Sequence, residues 1–201
     1  MNTLGILLTA AVWQNLVLIR FAAPWPLAAI VHHPRRAAAV TAAIAVATVA
    51  VTAVYGPLAY YMLLPAQLEL VTGPAVAATM GIGYLLVRSM LPRVAARRQS
   101  TALVLLRLAL YNPATFLVAL ASARSAYLAQ QPLLLIAIPL AATAGIALTL
   151  IPIAAVRQRQ RVVAKGLRID PDVQVFLVLA LYSLGLSQVV AFSQQLFIPL
   201  W

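Results

Sequence analysis

Long apolar runs separated by short polar breaks dominate this chain. Runs near the ~20 residues that a membrane-spanning helix needs predict six spans, at about 4–31, 37–60, 71–91, 100–122, 131–156 and 173–198. Spans two, three and five read as near-continuous apolar stretches rich in Ala, Val, Leu and Ile, with small residues suited to close helix packing in Ala37 to Ala53 and at Gly81 and Gly83. Spans one and four differ. The first holds Gln14, Asn15 and Arg20 and is broken by Pro24-Trp25-Pro26; the fourth holds Arg107 and is broken by Tyr111-Asn112-Pro113. A proline removes one backbone donor and clashes with the preceding turn. In hydrocarbon the freed groups need protein partners, so such breaks are expected to face other helices.

Charge then orients the spans. The chain is 64% hydrophobic with 14 Lys+Arg against 3 Asp+Glu. All the basic residues except Arg20, Arg107 and Arg124 fall in three groups: Arg35 and Arg36; Arg88, Arg93, Arg97 and Arg98; and Arg157, Arg159, Arg161, Lys165 and Arg168. The alternate connections carry only Glu69 and Arg124. Basic residues accumulate in cytoplasmic loops, so connections one, three and five are expected inside and both termini outside. The positive charge thus reads as topology and not as a nucleic-acid surface. Little of the chain remains for a soluble catalytic domain. A cleavable signal peptide is not expected, because Met1-Asn2-Thr3 has no basic region and no small-residue cleavage site follows.

Six spans with broken members first and fourth predict an all-α polytopic membrane protein built as two inverted three-helix repeats. A repeat of three spans must reappear upside down in the membrane, as in many transporters. The whole chain, 1–201, reads as one integral membrane domain, with repeat one at about 1–92 and repeat two at about 99–201. The matching breaks place a candidate ion path or repeat interface at Asn15, Arg20, Arg107 and Asn112.

The chemistry of these residues leaves two readings open for each. Arg20 and Arg107 would cost at least ~2.5–3.5 kcal/mol each at mid-span. They either line a site for an anion, a cofactor or a partner's carboxylate, or snorkel to the nearer interface. Asn15 and Asn112 either bond freed backbone groups and neighbouring helices or line an ion path. No predicted span contains Asp or Glu, so a cation path would need carbonyl, Asn or hydroxyl ligands, and a cavity-facing Arg would need an anionic group beside it. The chain has no cysteine, and adjacent His32 and His33 lack further ligands; no metal site is expected.

Three segments resemble the RnfA/NqrE family, membrane subunits of the Rnf and sodium-pumping Nqr electron-transport complexes. They are Gln14-Asn15-Leu16-Val17-Leu18-Ile19-Arg20-Phe21 with Pro26, Leu63-Leu64-Pro65-Ala66-Gln67-Leu68-Glu69-Leu70, and Ala154-Ala155-Val156-Arg157-Gln158-Arg159. The resemblance implies a place in the bacterial inner membrane and a homologous, oppositely oriented partner like RnfE or NqrD. It implies flavin and iron–sulfur groups in partner subunits, and redox-driven ion translocation by the whole complex. In that family an iron–sulfur cluster lies between the two partners, held by cysteines of the broken helices. Here those positions align with Trp25 and Pro113, which cannot ligate iron. The expectation is therefore a cluster-free half of the membrane core, with no cofactor bound by this chain alone and no catalysis by it in isolation. A stand-alone small-solute or ion transporter with its site at the repeat interface, and a purely structural assembly subunit, are the other readings.

Overall fold

A computed structural model of the protein describes residues 33–94 and 101–163. Spans one and six, and with them Asn15, Arg20 and Trp25, lie outside the described residues, as does the comparison of the two halves that depends on them. The described residues are helical and contain no strand. They form α1 (Pro34–Leu58), a π-helical turn (Ala59–Leu63), α2 (Glu69–Val94), α3 (Thr101–Leu110), α4 (Pro113–Leu128) and α5 (Leu134–Val163).

These elements follow the apolar runs, and their ends follow local chemistry. α1 starts where His33 adopts an extended backbone and Pro34 takes the first helical position, whose missing N–H would have been unpaired anyway. α1 is rich in Val, Ile and Thr, which are indifferent helix formers. Backbone groups in hydrocarbon must nevertheless bond within their own segment, and the helix is the one open-chain way to do that. Past Pro57 the helix widens into the π-helical turn, where Leu64 N–H reaches the Ala59 carbonyl at 2.9 Å.

Two chain reversals at one end of the bundle share a construction. Leu68 N–H donates to Leu63 O at 2.9 Å and Gln67 N–H to Leu64 O at 3.1 Å. Likewise Gln131 N–H donates to Ala126 O at 3.0 Å and Gln130 N–H to Tyr127 O at 3.1 Å. Both are Schellman endings, in which the residue after the cap turns left-handed and the last carbonyls are bonded. Glycine usually fills that position, yet here it is Gln67 (φ 57°) and Gln130 (φ 52°). Relief of this backbone strain gives an expected result: Gln67→Gly and Gln130→Gly each raise stability by about 0.5–1 kcal/mol. Thermal unfolding in detergent against the corresponding alanine variants measures it, and equal midpoints for Gly and Ala would remove the strain argument.

α1 forms the centre and packs against α5, α4 and α3. Its buried positions, Ala37, Val40, Thr41, Ile44, Ala47, Thr48, Val51, Thr52, Tyr55 and Gly56, recur every three or four residues and form one stripe. Helices in lipid gain no hydrophobic driving force from meeting one another, so small residues and close approach hold such seams together. At Gly56 an added Cβ would stand 3.0 Å from the Leu135 side chain of α5. Several buried hydroxyls are satisfied within their own helices: Thr41 donates to Ala37 O (2.9 Å), Thr48 to Ile44 O (2.7 Å), Thr52 to Thr48 O (2.7 Å) and Ser122 to Val118 O (2.6 Å).

α2 is peripheral, with few buried residues, whereas about half of the most apolar stretch of α1 and of α5 is covered. It runs antiparallel to α3 and α4 across the break between them. Gly83 faces Leu110 of α3, and Gly73 faces Phe116 of α4.

Some boundaries differ from those the hydropathy predicts. The fourth span continues to Leu128, which puts Arg124 inside α4 and not in the connection that follows. There Arg124 stands 3.9 Å from Glu69, both exposed. The fifth helix continues to Val163, past the predicted limit at 156, so its first basic residues extend the helix. Arg, Gln and Ala are good helix formers, so the helix outlasts the apolar stretch.

Candidate functional site

The sequence places a break at Tyr111-Asn112-Pro113, and there α3 and α4 meet with a bend of 58°. Asn112 is the N-cap of α4, with φ −79° and ψ 128°, and Pro113 takes the first helical position. The Asn112 side-chain oxygen accepts the Ala114 N–H at 2.9 Å. Its backbone carbonyl accepts Thr115 N–H at 2.9 Å and Phe116 N–H at 3.4 Å. On the other side of the bend, the Ala109 carbonyl accepts both Asn112 N–H at 3.1 Å and the Thr115 hydroxyl at 2.7 Å. Pro113 has no N–H to satisfy. The donors that a helix start leaves open are thus taken up locally. Asn112 is 7% exposed and Thr115 fully buried, so the seal lies inside the bundle.

Chemically, this arrangement is a closed break. An open helix start attracts anions because its N–H groups point outward unpaired. Here the first-turn N–H groups of α4 already have acceptors. Of the two readings left open for Asn112, bonding of freed backbone groups is the one the geometry displays.

Arg107 lies in the last turn of α3 and is exposed. Its Nη2 donates to the Tyr84 hydroxyl of α2, and its guanidinium carbon is 4.9 Å from the centre of the Tyr84 ring. Tyr111 packs edge-on against Tyr84, with centroids 4.6 Å apart and planes at 88°. A cation beside an aromatic ring is attracted by the ring's electron-rich face. Tyr84 therefore offers Arg107 both an acceptor and a face. Arg107 and Asn112 share no hydrogen bond; one is on the exposed α2–α3 side and the other within the bundle.

Tyr84 is the partner that sequence reasoning misses. Its only signal is a phenol in the middle of an apolar run, where the hydroxyl needs a bonding partner. A second aromatic group lies at the opposite end, where Tyr60 packs edge-on against both Tyr61 and Tyr127. With Pro65, Leu128 and Gln130 these rings line a recess of about 600 Å³. Among the described residues no three metal-ligating side chains gather.

The fold and the break define the class to this extent: among the described residues, which are helical, three helices are long and apolar enough to cross a membrane, and a fourth is if the bent α3–α4 pair is one span. This is compatible with a multi-pass membrane protein. No family model matches the chain, and no curated protein matches it.

Proposed function

We propose that this chain is a multi-pass subunit of a bacterial inner-membrane, redox-driven ion-translocating complex of the Rnf/Nqr kind. In this reading it forms half of the membrane core with a homologous, inverted RnfE/NqrD-like partner and holds no iron–sulfur cluster of its own. The proposal rests on the three resembling segments, and the observation that carries it is the 58° break at Asn112–Pro113. A broken fourth span is what the resemblance implies there.

Pro113 occupies the position at which a cluster ligand would be required. It has no donor atom, and the backbone around it is bonded internally, so this chain's residues do not fit a cluster at the break. Electrons would reach their acceptor through flavin and iron–sulfur groups of partner subunits. The closed break also favours a second reading, that of a structural assembly subunit. It weighs against a transporter that would hold an anionic substrate at the start of α4, because the N–H groups for it are already paired.

Purification of the tagged protein in mild detergent, with identification of co-purifying chains and assay of iron and flavin, tests the proposal. Expected are an RnfE/NqrD-like membrane chain and flavoprotein and iron–sulfur subunits. A lone protein without cofactors, reproduced in several detergents, would overturn it. Within a recovered complex, Asn112→Ser with unchanged turnover and loss of the complex on truncation of the chain favour the assembly role.

A further inference from the structure

Among the described residues no acidic side chain pairs with the exposed Arg107. The ion pair among the described residues is Arg124–Glu69, at the other end of α2. Among the described residues Arg107 bonds Tyr84, through one of the five N–H donors that a guanidinium carries. It is nevertheless held in place, because Tyr84 is itself braced by Tyr111. Its neighbours Val104 and Leu108 on α3 and Tyr111 just after it are exposed, as are Ile82 and Leu85 on α2. A pinned cation thus projects from an exposed apolar face.

Position along the helices specifies the counter-ion. Arg107 lies six residues beyond Thr101, about 9 Å along α3 from its start. That end of the pair is the basic one, with Arg88 and Arg93 in the closing turns of α2. Arg88, also exposed, lies one turn beyond Tyr84 on the same face of α2. Because α2 and α3 are antiparallel, Arg88 stands nearer the basic end than Arg107. In the membrane reading, two cations one above the other toward the basic end, with exposed apolar side chains along the same pair of helices, complement a phospholipid with an anionic headgroup. Basic sites between membrane helices on the cytoplasmic side bind such lipids.

We propose that Arg107, oriented by Tyr84 and assisted by Arg88, binds the phosphate of an anionic phospholipid of the leaflet at the basic end, with its acyl chains against the exposed α2–α3 face. The lipid supplies the negative charge that the described residues do not place beside Arg107. The proposal rests on the membrane placement in the preceding reading and not on the redox role.

The test is native mass spectrometry of the purified protein, delipidated and then exchanged with nanodiscs of phosphatidylglycerol or of phosphatidylcholine. The wild type is expected to retain phosphatidylglycerol preferentially. Arg107→Gln or Arg88→Gln is expected to weaken that preference about fivefold each, as for loss of one basic contact near a charged surface. Arg107→Lys keeps most of it, and Arg124→Gln, at the other end, leaves it unchanged. Circular dichroism of each variant confirms that helix content is retained. Equal retention of both lipids by the wild type, or a preference unaffected at Arg107 and Arg88, overturns the proposal. So does a photo-crosslinker at Leu108 that captures a protein chain in native membranes instead of lipid, which would assign Arg107 to a partner's carboxylate. Carbonate extraction of the membranes, run alongside, separates the two failures. Release of the protein defeats the membrane reading itself, whereas retention without charge preference defeats the lipid site alone.

Discussion

Tyr55→Ala is expected to destabilise the protein by about 3–5 kcal/mol, the range for removal of a large aromatic from a packed interior. Tyr55 is 1% exposed and heads the fully buried side chains by size. It belongs to the inward stripe of α1, one residue before Gly56 at the close approach to α5. Its side chain also reaches Thr72 of α2, whose hydroxyl donates to Glu69 O at 2.6 Å. Tyr55 therefore fills the centre and ties the peripheral helix to it. Tyr55→Phe keeps the ring and loses the hydroxyl, so its cost should fall to about 1 kcal/mol. Unfolding by SDS titration of the protein in micelles separates the two variants. Equal costs would mean that the hydroxyl, and not the packing of the ring, carries the contribution.

Asn112→Ala should cost about 1–3 kcal/mol, through loss of an N-cap and a buried Ala114 N–H left without its acceptor. Asn112→Ser restores an acceptor at the same position and should recover most of the loss. Thr115→Val removes a second bond across the bend, from its hydroxyl to Ala109 O. The Asn112 cap and the Thr115 hydroxyl brace the same bend, the backbone N–H of Asn112 meeting that hydroxyl at the Ala109 carbonyl, so their effects should not add, and a double-mutant cycle reads the coupling directly. If Asn112→Ala leaves stability unchanged but abolishes ion movement by a recovered complex, Asn112 lines a path, and the capping account fails.

The position of the break was legible because its causes are local. Pro113 cannot continue the hydrogen bonding of α3, and an Asn before it is a preferred cap. The courses of the described spans were legible for a similar reason, since summed hydropathy over some twenty residues survives errors at single positions. The ends were less so. Arg124 and Arg157 mark polarity, but a helix stops where its backbone bonds stop, and these residues do not stop it. The left-handed turns at Gln67 and Gln130 carried no signal at all, because Gln is not a residue that favours such a backbone.

What the sequence determined by itself was the number and rough course of the apolar segments in the described region, the break in the fourth, and a basic end distinct from a nearly uncharged one. Which faces point inward was decided only by tertiary structure. A helix that is apolar nearly all round has no periodic marker of its buried side. Nothing in the order of residues therefore said that α1 would be central and α2 peripheral. Nor did it say that Asn112 would turn into the bundle while Arg107, five residues earlier, would stay outside against Tyr84. Those outcomes depend on the 58° bend and on which small residues let two helices approach, both of which arise from contacts between distant segments.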